Sequence, residues 1–133
     1  MTKVFISYDY DEDANYKRLL TAWSKNESDY FKGISFDDGS TDISINSHDE
    51  AAIRRAISRR LNTCDKIIVL IGKDTHKSKW CRWEIEKAAE LGLKFVAVKL
   101  ESSNTTPTEL YGKSATWAHS FTKDSIEKAI NSA

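Results

Sequence analysis

The run Ile67-Ile68-Val69-Leu70-Ile71 constrains this chain more than any other stretch. It is apolar at every position and mostly β-branched, so a strand built from it has no polar side to offer to water. Such a strand must be covered on both faces, as in a parallel sheet with helices above and below. The run is far too short to span a bilayer. Val4-Phe5-Ile6 and Phe95-Val96-Ala97-Val98 have the same character, and Gly33-Ile34-Ser35-Phe36 is a further short strand. A short segment around Ala115-Thr116-Trp117 supplies a fifth strand, at an edge.

Helical stripes fill the intervals. After Asp9, with Glu12 three positions on in the pattern of a capping box, Tyr16, Leu19, Leu20 and Trp23 recur at helical spacing. Residues 38–47 are polar and read as a loop. Ser47 and Glu50 make another capping box, and Ile53, Ala56, Ile57 and Leu61 form the buried stripe of the helix it opens. Ser78 or a neighbour caps the next helix, and Gly92 stands at its C-terminal stop. A last helix begins near Lys123, with Ile126 and Ile130 facing inward. Strands alternating with helices give a mainly parallel α/β sheet with right-handed crossovers. About five strands fit the flavodoxin-like order 2-1-3-4-5, with helices on both faces. The 133 residues are the size of one domain, taken here as 1–133. Ligands in such sheets bind beyond the carboxyl ends of the strands, near the switch point between the first and third. That draws attention to residues 7–11, 37–44 and 72–84.

Charge and cysteine content narrow the partners. Twenty basic residues balance twenty acidic ones, so no overall field attracts nucleic acid or an anionic membrane. No signal peptide or membrane span is read, and the two cysteines, Cys64 and Cys81, are read as buried thiols of a cytoplasmic protein. His48, His76 and His119 are scattered without metal-ligand spacing, so no metal is assigned. There is neither a P-loop nor a G-x-G-x-x-G. Aspartates near the strand ends suggest a magnesium-binding receiver, but Leu70-Ile71-Gly72-Lys73 stands where its phosphoacceptor aspartate belongs.

The residues richest in chemistry are Ser78-Lys79-Trp80-Cys81-Arg82-Trp83-Glu84-Ile85. On a helix, Trp80 and Glu84 share a face. An aromatic plane beside a carboxylate suits a ligand with a flat base and a sugar. The ring stacks; the carboxylate accepts from ribose hydroxyls and stabilises positive charge at the anomeric carbon as an N-glycosidic bond breaks. The same spacing also describes an amphipathic helix with Trp80 in the core and Glu84 exposed, contributing little to folding.

Taken in order, Val4-Phe5-Ile6-Ser7-Tyr8, Ser35-Phe36-Asp37 and Trp80-Cys81-Arg82-Trp83-Glu84-Ile85 resemble a TIR (Toll/interleukin-1 receptor) domain. Trp117-Ala118-His119 and the segment from Ser125 to Ile130 resemble its end. Within that family the chain most resembles the stand-alone TIR-like proteins of prokaryotic Thoeris antiphage systems. The resemblance implies an enzyme that cleaves the nicotinamide–ribose bond of NAD, with NAD as substrate and no further cofactor. It makes Glu84 catalytic and Trp80 the aromatic beside it. Ser7, Tyr8 and Asp9 fall at the end of the first strand and in the loop lining the nucleotide pocket, and Asp37 falls at the end of the second strand. The implied product is an ADP-ribose-derived signal, cyclic in kind, that activates a downstream effector. The implied partners are further copies through TIR–TIR assembly and a phage-derived trigger. Two departures stand out. Asp9 and Tyr10 replace arginines found after the tyrosine in some NAD-cleaving TIR domains, which leaves Lys73 or Lys79 to meet phosphate. The second loop also lacks the Arg-Asp-x-x-Pro-Gly signature of receptor and adaptor TIR domains. The alternatives are a non-catalytic TIR interaction module, which has no need of Glu84, and a nucleoside N-glycosidase or deoxyribosyltransferase, which shares the frame and the use of a glutamate.

Overall fold

In the computed structural model, which describes residues 2–26, 30–37 and 49–133, strands and helices alternate along the chain. They are β1 (Thr2–Ser7), α1 (Tyr10–Asn26), β2 (Ile34–Asp37), α2 (Glu50–Asn62), β3 (Lys66–Ile71), α3 (Lys79–Glu90), β4 (Lys94–Lys99), β5 (Thr116–Ala118) and α4 (Lys123–Ser132). Single 3-10 turns at Thr75–Lys77 and Thr108–Leu110 lie in the connections after β3 and β4.

The sheet order is β2-β1-β3-β4-β5, and every pairing is parallel. The flavodoxin-like order expected from the sequence is therefore present. β3 sits at the centre and is buried from Ile67 to Ile71, as its lack of a polar face requires. Its odd and even residues pack in opposite directions. Ile68 and Leu70 join Val4, Ile6, Leu20, Val96, Val98, Ile126 and Ile130 in the cluster under α1 and α4. Ile67, Val69 and Ile71 join Phe5, Ile53, Ile57, Leu61, Ile85 and Phe95 under α2 and α3.

Helix ends follow local chemistry. Asp9 accepts from the Asp11 N–H at 3.1 Å and opens α1. Asp49 accepts from the Ala51 N–H at 2.9 Å and caps α2. The expected cap at Ser47 and the loop at 38–47 lie outside the described residues. Ser78 caps α3 by accepting from the Cys81 N–H at 3.2 Å, and Gly92 follows the helix at φ +79°, a conformation that glycine adopts without cost. One stripe position differs from expectation. Leu20 is fully buried, but Leu19 is 42% exposed, because the aromatic rings of Tyr16 and Trp23 reach Phe121 and fill that flank instead.

The turn before β2 carries an unusual residue. Phe31 has φ +58° and is buried, with its ring edge-on to Phe36. Its backbone N–H donates to the Glu127 carboxylate on α4. Among the described residues, no helix is long and apolar enough to cross a membrane.

Candidate functional site

Glu84 lies one turn into α3, on the side that faces the sheet. Cys81, Glu84, Ile85 and Ala88 form the buried stripe of that helix. Glu84 is only 7% exposed, which corrects the exposed setting that a helical glutamate suggests. Its partner comes from β1. Side chains alternate along a strand, so Ser7 follows Phe5 onto the α2/α3 side. There it is fully buried and its hydroxyl donates to Glu84 Oε1 at 2.8 Å. Two residues 77 apart in sequence thus meet at the carboxyl edge of the sheet.

Burial dominates the electrostatics. Loss of water pushes the Glu84 carboxyl up from 4.5 to about 8, and the bond from Ser7 opposes part of that rise. A neutral carboxyl therefore predominates at pH 7, poised to ionise when a cation or donor arrives. Cys81, beneath it, is held as a thiol. Desolvation and the Glu84 charge push it up to about 12, which removes it as a nucleophile at neutral pH. Cys81 and Cys64 are both buried and free.

The other expected site residues disperse. Asp9 lines an open cleft of about 470 Å³ beside the start of α3, together with Ser78 and Lys79. Tyr8 is buried in the cluster under α1 and α4, on the opposite side of the sheet from Ser7. Asp37 closes β2 in an ion-pair network with Lys3 at 3.7 Å and Arg60 at 3.3 Å. Lys79 pairs with Glu50. Trp80 is half-buried against the α2/α3 cluster, edge-on to Trp83 at 5.9 Å, with Lys79 Nζ 5.7 Å from its ring centre. It is therefore partly a packing residue. Trp80→Ala is expected to cost roughly 2–3 kcal/mol, below the 3–5 of a fully buried tryptophan. A urea midpoint unchanged from wild type would remove Trp80 from the core.

The Ser7–Glu84 bond was not legible in the sequence as a pair, although the inward phase of Ser7 was available from Phe5. It gives a direct prediction. Ser7→Ala removes the one hydrogen bond that lowers the Glu84 pKa, so the Glu84 titration followed by carboxyl NMR moves to higher pH. An unmoved midpoint would show that the Ser7 hydroxyl does not reach the carboxylate in solution.

A five-stranded parallel sheet in this order, with helices on both faces, is a flavodoxin-like α/β domain. The family described as Thoeris protein ThsB, TIR-like domain, matches residues 5–105, and the chain belongs to that family. Among solved structures, a prokaryotic SEFIR domain is similar in fold, with TM-score 0.57 and 18% identity over 99% of this chain and 95% of that one. A 2-desoxiribosyltransferase from Leishmania mexicana is similar at TM-score 0.56 and 16% identity, over 76% of this chain. This chain spans 66% of that transferase's length. No curated protein matches in sequence.

Proposed function

We propose that the chain cleaves the nicotinamide–ribose bond of NAD at Glu84, making an ADP-ribose-derived, cyclic signal that activates an effector in antiphage defence. The observation that carries this reading is the buried Ser7–Glu84 pair at the carboxyl edge of the sheet, in a chain of the Thoeris TIR-like family. The C–N bond breaks with its electron pair passing to the nicotinamide nitrogen, and positive charge develops at the ribose anomeric carbon. A carboxylate held in a dry setting stabilises that charge more than it stabilises bound NAD. A hydroxyl of the ADP-ribose unit then forms the new C–O bond and gives up its proton. Glu84, with a proton affinity near neutrality, is suited to receive it. Ser7 orients the carboxylate. Trp80 and Asp9 flank the same end of α3 and contact the nucleotide, with further copies of the chain completing the site.

The test is mass spectrometry of NAD incubated with the concentrated, assembled protein. Free nicotinamide and a cyclic ADP-ribose-derived product are expected. The pH profile adds a sharper check. If ionised Glu84 is required, kcat/KM rises about tenfold per pH unit below about 8 and levels above it. A profile flat or falling between pH 6 and 9 contradicts the assignment. An assembled protein that binds partners but releases no nicotinamide is an interaction module.

A further inference from the structure

A second cleft, of about 370 Å³, opens on the side of β3 away from Glu84. Asp13 and Tyr16 of α1, Gly72 after β3, and Glu101 and Asn104 after β4 line it. Asp13 is its deepest polar group, at 5% exposure. The Asp13 carboxyl lies directly over the Gly72 Cα, and a Cβ at residue 72 would overlap it. The glycine at the end of β3 is what admits the carboxyl to this position.

The carboxyl has one donor there, the Thr75 hydroxyl, and that donor is shared. Thr75 Oγ1 accepts from the Gly72 N–H at 2.8 Å and has a single proton to give. The Leu70 carbonyl at 3.2 Å is nearer to it than Asp13 Oδ2 at 3.5 Å. No donor among the described residues reaches Asp13 Oδ1. Burial, with the anions Asp9, Glu12 and Asp74 behind it, pushes the Asp13 carboxyl up to about 6, and the Thr75 hydroxyl opposes part of that rise. Asn104 spends one of its two Nδ2 protons on the Ile71 carbonyl at 2.8 Å, and its Oδ1 remains an acceptor. Tyr16 adds an aromatic wall, braced edge-on by Phe121 at 5.1 Å.

A buried anion, spare acceptors and an aromatic wall are complementary to a cation that carries several N–H groups. Among the described residues no group of three side chains could hold a metal ion, and one deep carboxylate makes a poor metal cage. We infer that this cleft is a binding site for a small organic cation, a primary ammonium or guanidinium, anchored on Asp13 and Asn104. The cleft volume suits a ligand of a few heavy atoms rather than a polymer.

The probe is butane-1,4-diamine, followed by amide NMR of the full chain at pH 7.5, with butane-1,4-diol and magnesium chloride as controls. Saturable shifts at Gly72, Thr75 and Asn104 are expected with the diamine and not with the diol. Asp13→Asn keeps the shape and the hydrogen-bonding reach toward Thr75, so it should fold as wild type and lose at least tenfold in diamine affinity. The groups facing Asp13 are Asp9 just before α1, Glu12 on α1, Asp74 and Thr75 after β3, and Lys73 and Glu101 in the cleft lining. Because Asp13 must ionise to bind, affinity falls as pH drops through about 6. Shifts that spread along the exposed acidic residues without saturating, that persist in Asp13→Asn, or that magnesium reproduces would overturn the proposal.

Discussion

Glu84→Gln is expected to lower nicotinamide release by about 10²–10³-fold, or roughly 3–4 kcal/mol of transition-state stabilisation, under conditions where the assembled wild type is active. Gln keeps the length and planarity of Glu, and its carbonyl can still accept from Ser7, so the packing beneath α3 is preserved. What disappears is the ability to ionise. The reacting ribose gains positive charge only as the C–N bond lengthens, so a negative partner acts on the rate more than on NAD binding. kcat should therefore fall far more than KM rises. Steady-state kinetics with quantified nicotinamide is the measurement, and full turnover by the variant would remove Glu84 from the chemistry.

The same substitution should make the protein more stable in alkali. Glu84 titrates near 4.5 when unfolded and at about 8 in the folded chain. The native state thus holds the proton over a range in which the unfolded chain has lost it. Stability from this group is complete below pH 4.5 and is lost as pH rises through 8, a slope set by the difference in bound protons. Between pH 6 and 9 the wild type should lose roughly 3 kcal/mol from Glu84 alone. Asp13 has the same sign, but its window closes near 6. The thiols of Cys64 and Cys81, raised in the folded chain to about 11 and about 12, begin to cost stability only as their unfolded counterparts ionise near 9, and they do so in both proteins. The difference between variant and wild type therefore isolates Glu84. Denaturant melts across it should show Glu84→Gln matching the wild type at pH 6 and exceeding it at pH 9. Parallel pH curves for the two proteins would mean that Glu84 is solvated rather than buried.

That correction shows where the sequence stops being legible. β3 could be placed because five apolar residues permit only one setting, and its neighbours followed from the alternation of strand and helix. Glu84 could be found by its spacing from Trp80, but its burial could not. A glutamate on an amphipathic helix reads as exposed, and only the inward phase of Ser7 on a distant strand shows otherwise. Asp37 reads as a strand-end ligand because the cations that hold it, Lys3 and Arg60, lie on other elements. Tyr8 and Ser7 are neighbours in the chain yet pack on opposite sides of the sheet, since each step along a strand reverses the side chain. Asp13 resembles any acid in a first helical turn, and nothing local marks Gly72, far along the chain, as the residue that makes room for it.

The turn at Phe31 bears on the order in which the protein is made. A bulky residue in the left-handed region costs on the order of 1–3 kcal/mol unless its surroundings hold it there. Here the acceptor that holds it, Glu127, is 96 residues further along the chain. At the usual pace of about 5–20 residues per second, the ribosome delivers Glu127 roughly 5–20 s after Phe31. Until then the turn lacks that acceptor and is held only by local bonds, the Ile34 N–H on the Phe31 carbonyl and the pairing of β2 with β1. A nascent chain paused before residue 127 therefore presents β2, an edge strand, with its turn short of one long-range anchor.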